Sequence, residues 1–195
     1  MSNEIRYVTP RYENLTRITK ERKCKKFLEI GTWAGITAQN LILTAGEFAD
    51  PQDIYYLGVD LFDLLTPEIE KLEHSKAQVL IANVKRKLSC FPANVLLYQG
   101  LSKDVIPSLP EHEDDLIFID GGHRIETITQ DWNDVQRFIG KNTVVVFDDY
   151  RHSQTHLGCK SLIDDLDRKL WDVEILEPTD ELSFGKTNVA QVMRC

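Results

Sequence analysis

The chain has 195 residues, of which 42% are hydrophobic and 28% charged, and its formal net charge is −8. That length suits one domain with a substantial core, and the acidic balance argues against non-specific nucleic-acid binding, which needs a basic surface. No run approaches the ~20 apolar residues of a membrane span. The polar start carries no signal-peptide pattern. The cysteines (Cys24, Cys90, Cys159, Cys195) are widely spaced with no CxxC, which fits a reducing cytosol better than a disulfide framework or a zinc site.

Residues 1–26 are polar and weakly patterned and read as an N-terminal arm, with a single domain over 27–195. Basic residues cluster from Lys20 to Lys26. A solvated helix or arm accounts for them; a flap over a site is the sharper reading. Phe27–Ile30 reads as a short strand, Gly31–Gly35 as a turn, and Ile36–Ala45 as a helix with Ala38, Leu41, Ile42 and Ala45 on one face. Ile54–Val59 is the next strand and closes on Asp60. Pro67 opens one long helix reaching Leu88. Val95–Tyr98 is a strand ending at Gln99-Gly100, and a short helix follows near Lys103–Leu109.

Asp114–Tyr150 is the most informative stretch. Two apolar runs, Leu116–Ile119 and Val144–Phe147, suit strands buried on both faces of a parallel sheet. Between them Ile125, Ile128, Trp132, Val135 and Ile139 share one helical face. A right-handed βαβ unit makes the strands parallel. If they are neighbours, Asp120, Asp148, Asp149 and His123 converge at the sheet edge where open α/β folds bind ligands. Residues 151–157, with His152 and His156, read as a loop. A helix follows near Leu162–Leu170, and Trp171–Leu176 with Asn188–Met193 form an antiparallel hairpin. The expected architecture is α/β: a Rossmann-like three-layer sandwich on a mostly parallel seven-stranded sheet with a C-terminal antiparallel hairpin.

The strand–turn–helix at Gly31-x-x-x-Gly35 is a nucleotide-site signal, because glycine allows a tight turn and close backbone approach. Trp33 stands where the dinucleotide fingerprint needs its middle glycine, and no GK[ST] follows. A ligand without phosphates near this loop fits better than a nicotinamide dinucleotide. Glu29 could hold a cationic amine, and Asp60 sits where ribose hydroxyls are held. Glu29-Ile30-Gly31-Thr32-Trp33-Ala34-Gly35 resembles the first motif of class I S-adenosylmethionine (SAM) methyltransferases. The resemblance implies a methionine-cradling loop (Gly31, Thr32, Trp33, Gly35), ribose binding at Asp60 beside Leu61, and an adenine border at Gly100 and Ser102.

Three carboxylates at one edge repel unless a cation lies between them, and oxygen-only ligands favour a hard ion such as Mg2+. Ile119-Asp120-Gly121-Gly122-His123 and Phe147-Asp148-Asp149-Tyr150 are similar to the macrocin O-methyltransferase-like and cephalosporin-hydroxylase-like group of sugar O-methyltransferases. This likeness covers residues 27–170. It implies a divalent metal on Asp120, Asp148 and Asp149 and a general base at His123, with Asp120 as the competing base. Asp120 as a helix N-cap, Asp148-Asp149 as a solvated turn and His123 as a surface residue are the structural alternatives.

The expected function is metal-assisted O-methylation of a small polyhydroxylated acceptor, with SAM as donor. The chain lacks the long N-terminal segment that many sugar methyltransferases use to cover the site. Either the cleft is open or a second subunit of a homo-oligomer closes it. A SAM- or metal-binding accessory module, or a methyltransferase acting on protein or RNA, is the alternative.

Overall fold

The computed structural model describes residues 9–183 and 185–195. The first eight residues of the expected arm lie outside them. Five segments form the parallel part of one sheet: β1 (Lys26–Ile30), β2 (Tyr55–Asp60), β3 (Asn94–Gln99), β4 (Asp114–Ile119) and β5 (Ile139–Arg151). A hairpin of β6 (Trp171–Leu182) and β7 (Gly185–Arg194) completes it, with order β3-β2-β1-β4-β5-β7-β6. β7 runs antiparallel to both β5 and β6. This is the Rossmann-like α/β arrangement that the alternation of strands and helices predicts.

Side chains alternate between the two sides of each central strand. Phe27, Leu116, Phe118, Val144 and Val146 pack into one buried cluster; Leu28, Ile117, Ile119, Val145 and Phe147 pack into the other. Helices α1 (Glu13–Arg22), α2 (Ile36–Ala45) and α4 (Ile81–Leu88) supply the first cluster through Leu15, Leu41 and Val84. Helices α6 (Ile125–Val135) and α7 (Lys160–Asp165) supply the second through Trp132 and Ile163. No helix among the described residues is long and apolar enough to cross a membrane.

The structure corrects three readings of the sequence. The arm is not simply solvated: Tyr12, Leu15 and Ile18 are buried on α2 and the sheet, while Lys20, Arg22 and Lys23 face solvent. The apolar positions of this short helix are interrupted by Thr and Asn, which hides its amphipathic face. The single helix over 67–88 is two, α3 (Pro67–Glu73) and α4. His74 ends α3 in the left-handed conformation, φ +52°, and Trp33 Nε1–H donates to Ala77 O at 3.0 Å within the connecting loop. The third is Asp120, which is not a helix N-cap; Arg124 takes that position on α6.

The ends of β1 and β4 are level, so that the residues following them meet. Ile30 pairs with Ile119 in register, and Ile119 pairs with Phe147. Asp120 N–H donates to Ile30 O and Gly31 N–H to Val59 O, both at 2.9 Å. A Cβ at Gly31 would lie 1.9 Å from the Asp120 carbonyl oxygen. This glycine is therefore required by the packing of one βα turn against another, at φ +91°, a conformation that glycine adopts without steric cost.

Candidate active site

The C-terminal strand ends open onto a cavity of about 520 Å³, within the size range of small-molecule sites. Gly31, Trp33, Asp60, Leu61, Gly100, Ser102, Asp120 and His123 line it. Asp60, at the end of β2, is fixed by two backbone donors: Trp33 N–H to Oδ2 at 2.7 Å and Phe62 N–H to Oδ1 at 2.8 Å. The bulky Trp33 adopts φ +43°. Its ring carries the Lys76 ammonium 5.2 Å from the centroid, a cation–π contact.

Three of the proposed donor-side residues stand back from the cavity. Glu29 is 1% exposed and accepts from the Tyr56 hydroxyl. Burial, partly offset by that hydrogen bond, pushes its carboxyl up to about 8. A cationic amine cannot reach it without opening the sheet. Thr32 Oγ1 lies 3.2 Å from Tyr56 Oη and supports the turn from below. Gly35 is the residue preceding α2, at φ +65°.

At the ends of β4 and β5, Asp120 and Asp148 come together as the βαβ reading expects. The Tyr12 hydroxyl bridges them, 2.7 Å from Asp120 Oδ2 and 2.6 Å from Asp148 Oδ2. A β-bulge brings in the next residue: Asp148 and Asp149 together stand opposite Val189, with the register shifting between Phe147 and Tyr150. Asp149 takes φ +58°. A regular strand would send adjacent side chains to opposite faces; the bulge re-aims them.

What the sequence did not reveal is the occupant of this cluster. The Arg11 guanidinium is buried among the acids. Nε–H donates to Asp148 Oδ1 at 2.7 Å and an Nη2–H to Asp148 Oδ2 at 2.8 Å, a bidentate pair. Nη1–H reaches Asp180 Oδ2 at 2.6 Å, and Nη2–H reaches Asp149 Oδ1 at 3.3 Å. Burial alone would raise the Asp148 carboxyl, but the charge and hydrogen bonds of Arg11 outweigh it and hold it at about 2. Asp120 goes the other way. Burial lifts it well above the carboxylate range, against the opposing pull of Lys76, whose Nζ lies 3.7 Å from Oδ2. Asp148 and Asp149 do not line the cavity; Asp120 is the member of the cluster that does.

His123 Nδ1 lies 2.7 Å from Glu73 O and Nε2 lies 3.1 Å from Asp149 Oδ2. Both contacts are made to oxygen atoms. Through these two contacts the histidine ties α3 to β5. Lys76 and Asp131 are further cavity residues that sequence reasoning missed. Asp131 lies on the buried side of α6, where burial pushes its carboxyl up to about 7. Lys76 sits in the loop that replaces the expected long helix, and Asp131 reads in sequence as an ordinary polar helix residue; neither position carries a motif.

A methyltransferase-domain family matches residues 28–150. Among curated proteins, no sequence matches the chain. The O-methyltransferase TomG from Streptomyces achromogenes, involved in tomaymycin synthesis and solved with SAM, superposes with a TM-score of 0.64 at 14% identity, over 97% of this chain and 82% of that one. An O-methyltransferase from Bacillus cereus, solved with SAH, gives 0.64 at 16% identity over 97% and 83%. An rRNA methylase from Streptococcus thermophilus gives 0.62 at 8% identity over 97% and 99%. At these identities the three likenesses are likenesses of fold. The match over 28–150 spans the glycine turn, Asp60 and the acid cluster, and by it the chain belongs to the methyltransferase-domain family.

Proposed function

We propose that the chain is a SAM-dependent O-methyltransferase acting on a hydroxyl of a small, polyhydroxylated acceptor. The observation that carries this reading is a single cavity with Asp60 in one part of its wall and Asp120 beside Lys76 in another. Asp60, Leu61, Gly100 and Ser102 would hold the adenosyl half of the donor, and the Gly31–Trp33 turn the methionine half. The bound donor supplies an activated methyl carbon on a sulfonium. Its positive charge suits a wall that carries Asp60 and Asp120.

Asp120 is the residue assigned to take the acceptor proton. Its burial makes it a stronger base than an ordinary carboxylate, and a base with a pKa nearer the working pH transfers protons more effectively. Lys76 favours the deprotonated form and can orient the acceptor oxygen. His123, which contacts Glu73 and Asp149, is assigned to positioning.

The family resemblance also implies a divalent metal on Asp120, Asp148 and Asp149. The donor set as arranged does not fit one. Both Asp148 oxygens are taken by Arg11, and Asp149 Oδ2 is taken by Arg151 at 2.6 Å. No step is therefore assigned to a metal. Release of S-adenosylhomocysteine, measured in EDTA with a panel of sugars and catechols, tests the assignment. Asp120→Asn should lower turnover by about 100- to 10,000-fold, the usual contribution of a general base, while binding S-adenosylhomocysteine as the wild type does. An Asp120→Asn chain that turns over normally sinks the assignment of the base.

A further inference from the structure

We propose that Arg11 is a built-in cation: its guanidinium fills the place among Asp148, Asp149 and Asp180 that a divalent ion would otherwise take, and Tyr12 links this fixed charge to Asp120. The N-terminal segment thereby completes the acceptor side of the site, so that no metal is needed there.

The geometry carries this in three ways. First, the guanidinium satisfies the cluster as a bound ion would. Its three nitrogens reach four carboxylate oxygens on three residues, at 2.6 to 3.3 Å. Second, little oxygen is left over. Asp149 Oδ2 receives Arg151 and faces His123 Nε2, and Asp120 Oδ2 faces Tyr12 and Lys76. Magnesium demands near-octahedral oxygen coordination at short range, which would require displacing Arg11 from Asp148. Third, displacement is opposed by burial. Arg11 is 4% exposed and Asp148 5%, and a guanidinium separated from its partner there would be a buried, unpaired charge. The bridging hydroxyl adds direction. Tyr12 follows Arg11 in the chain, its ring meets Phe118 edge-on at 5.4 Å, and its oxygen lies between Asp148 and the cavity-lining Asp120. Arg11 and Tyr12 are thus positioning residues that act through Asp120.

The test is Mn2+ binding to the whole chain, followed by electron paramagnetic resonance without SAM. Wild type should show no site that Asp148→Asn removes. Arg11→Met keeps the apolar stem and leaves the carboxylates without their main countercharge. It should bind Mn2+ at least about tenfold more tightly than wild type, because affinity follows the charge of the ligand set, and adding Asp148→Asn should abolish the gain. Arg11→Lys, which keeps the charge, should stay silent. A stoichiometric wild-type site lost in Asp148→Asn would overturn the proposal, and so would a folded Arg11→Met chain that takes up no Mn2+. Should Arg11→Met not fold, the wild-type and Asp148→Asn titrations still decide. The proposal rests on the methyl-transfer reading only for its meaning in catalysis. A chain that is silent to Mn2+ and does not bind S-adenosylhomocysteine would refute that reading and leave the built-in cation standing.

Discussion

Glu29 shows how a single buried acid links site and stability. It lies in the middle of the sheet, paired only with Tyr56 and nearby hydroxyls, and burial raises its carboxyl from an ordinary 4.5 to about 8. The folded chain therefore keeps a proton there that the unfolded chain gives up. The associated stability is fully present below about pH 4.5 and is lost as pH rises through about 8. Glu29→Gln is isosteric and always neutral. Urea midpoints at pH 5 and pH 8 should fall for wild type across this interval and change less for the variant. An identical change in both chains would show that Glu29 ionises as freely as in water. The motif around Glu29 was legible from sequence, but its direction was not. The period of a strand says that neighbours face opposite ways; it does not say which way opens onto the ligand.

At the scale of elements, the βαβ unit from β4 to β5 was the most readable part. Its apolar runs, its helical face and its terminal acids all follow from local spacing, and the carboxylates of Asp120 and Asp148 do meet. The bulge at Asp148-Asp149 and the break after α3 were not readable, since both depend on residues far along the chain that hold an irregular backbone. The short turn leading into α1 is the clearest case. Pro10-Arg11-Tyr12 has no periodic signal of its own, yet Arg11 pairs with acids 137 and 169 positions away. If α1 is part of the core, as the burial of Leu15 indicates, Leu15→Ala should cost about 2–5 kcal/mol of unfolding free energy. A surface appendage would give a change within about 0.5 kcal/mol. Chemical denaturation monitored by tryptophan fluorescence separates the two.

For the whole molecule, topology does the organising. Placing β1 between β2 and β4 brings the turn after β1 beside Asp60 on one side and Asp120 on the other. The same sheet edge thus carries the glycine turn, Asp60 and Asp120. The hairpin of β6 and β7 adds Asp180, and the N-terminal segment adds Arg11, so that the two ends of the chain meet at the acid cluster. The sequence pattern predicted the sheet and several residues that line the cavity, Asp60 and Asp120 among them, because strands and glycine turns are local. It could not predict the cation, because an ion pair between chain ends leaves no local trace.

The central claim is that Asp60 and the glycine turn bind the adenosyl donor. Calorimetric titration of S-adenosylhomocysteine into wild type and Asp60→Ala, in EDTA and beside an NAD control, tests it most directly. Wild type should bind one equivalent and ignore NAD, and Asp60→Ala should bind about 10- to 100-fold more weakly, as expected for losing hydrogen bonds to a charged group. Binding of NAD but not of S-adenosylhomocysteine, or an affinity unchanged by Asp60→Ala, would contradict it.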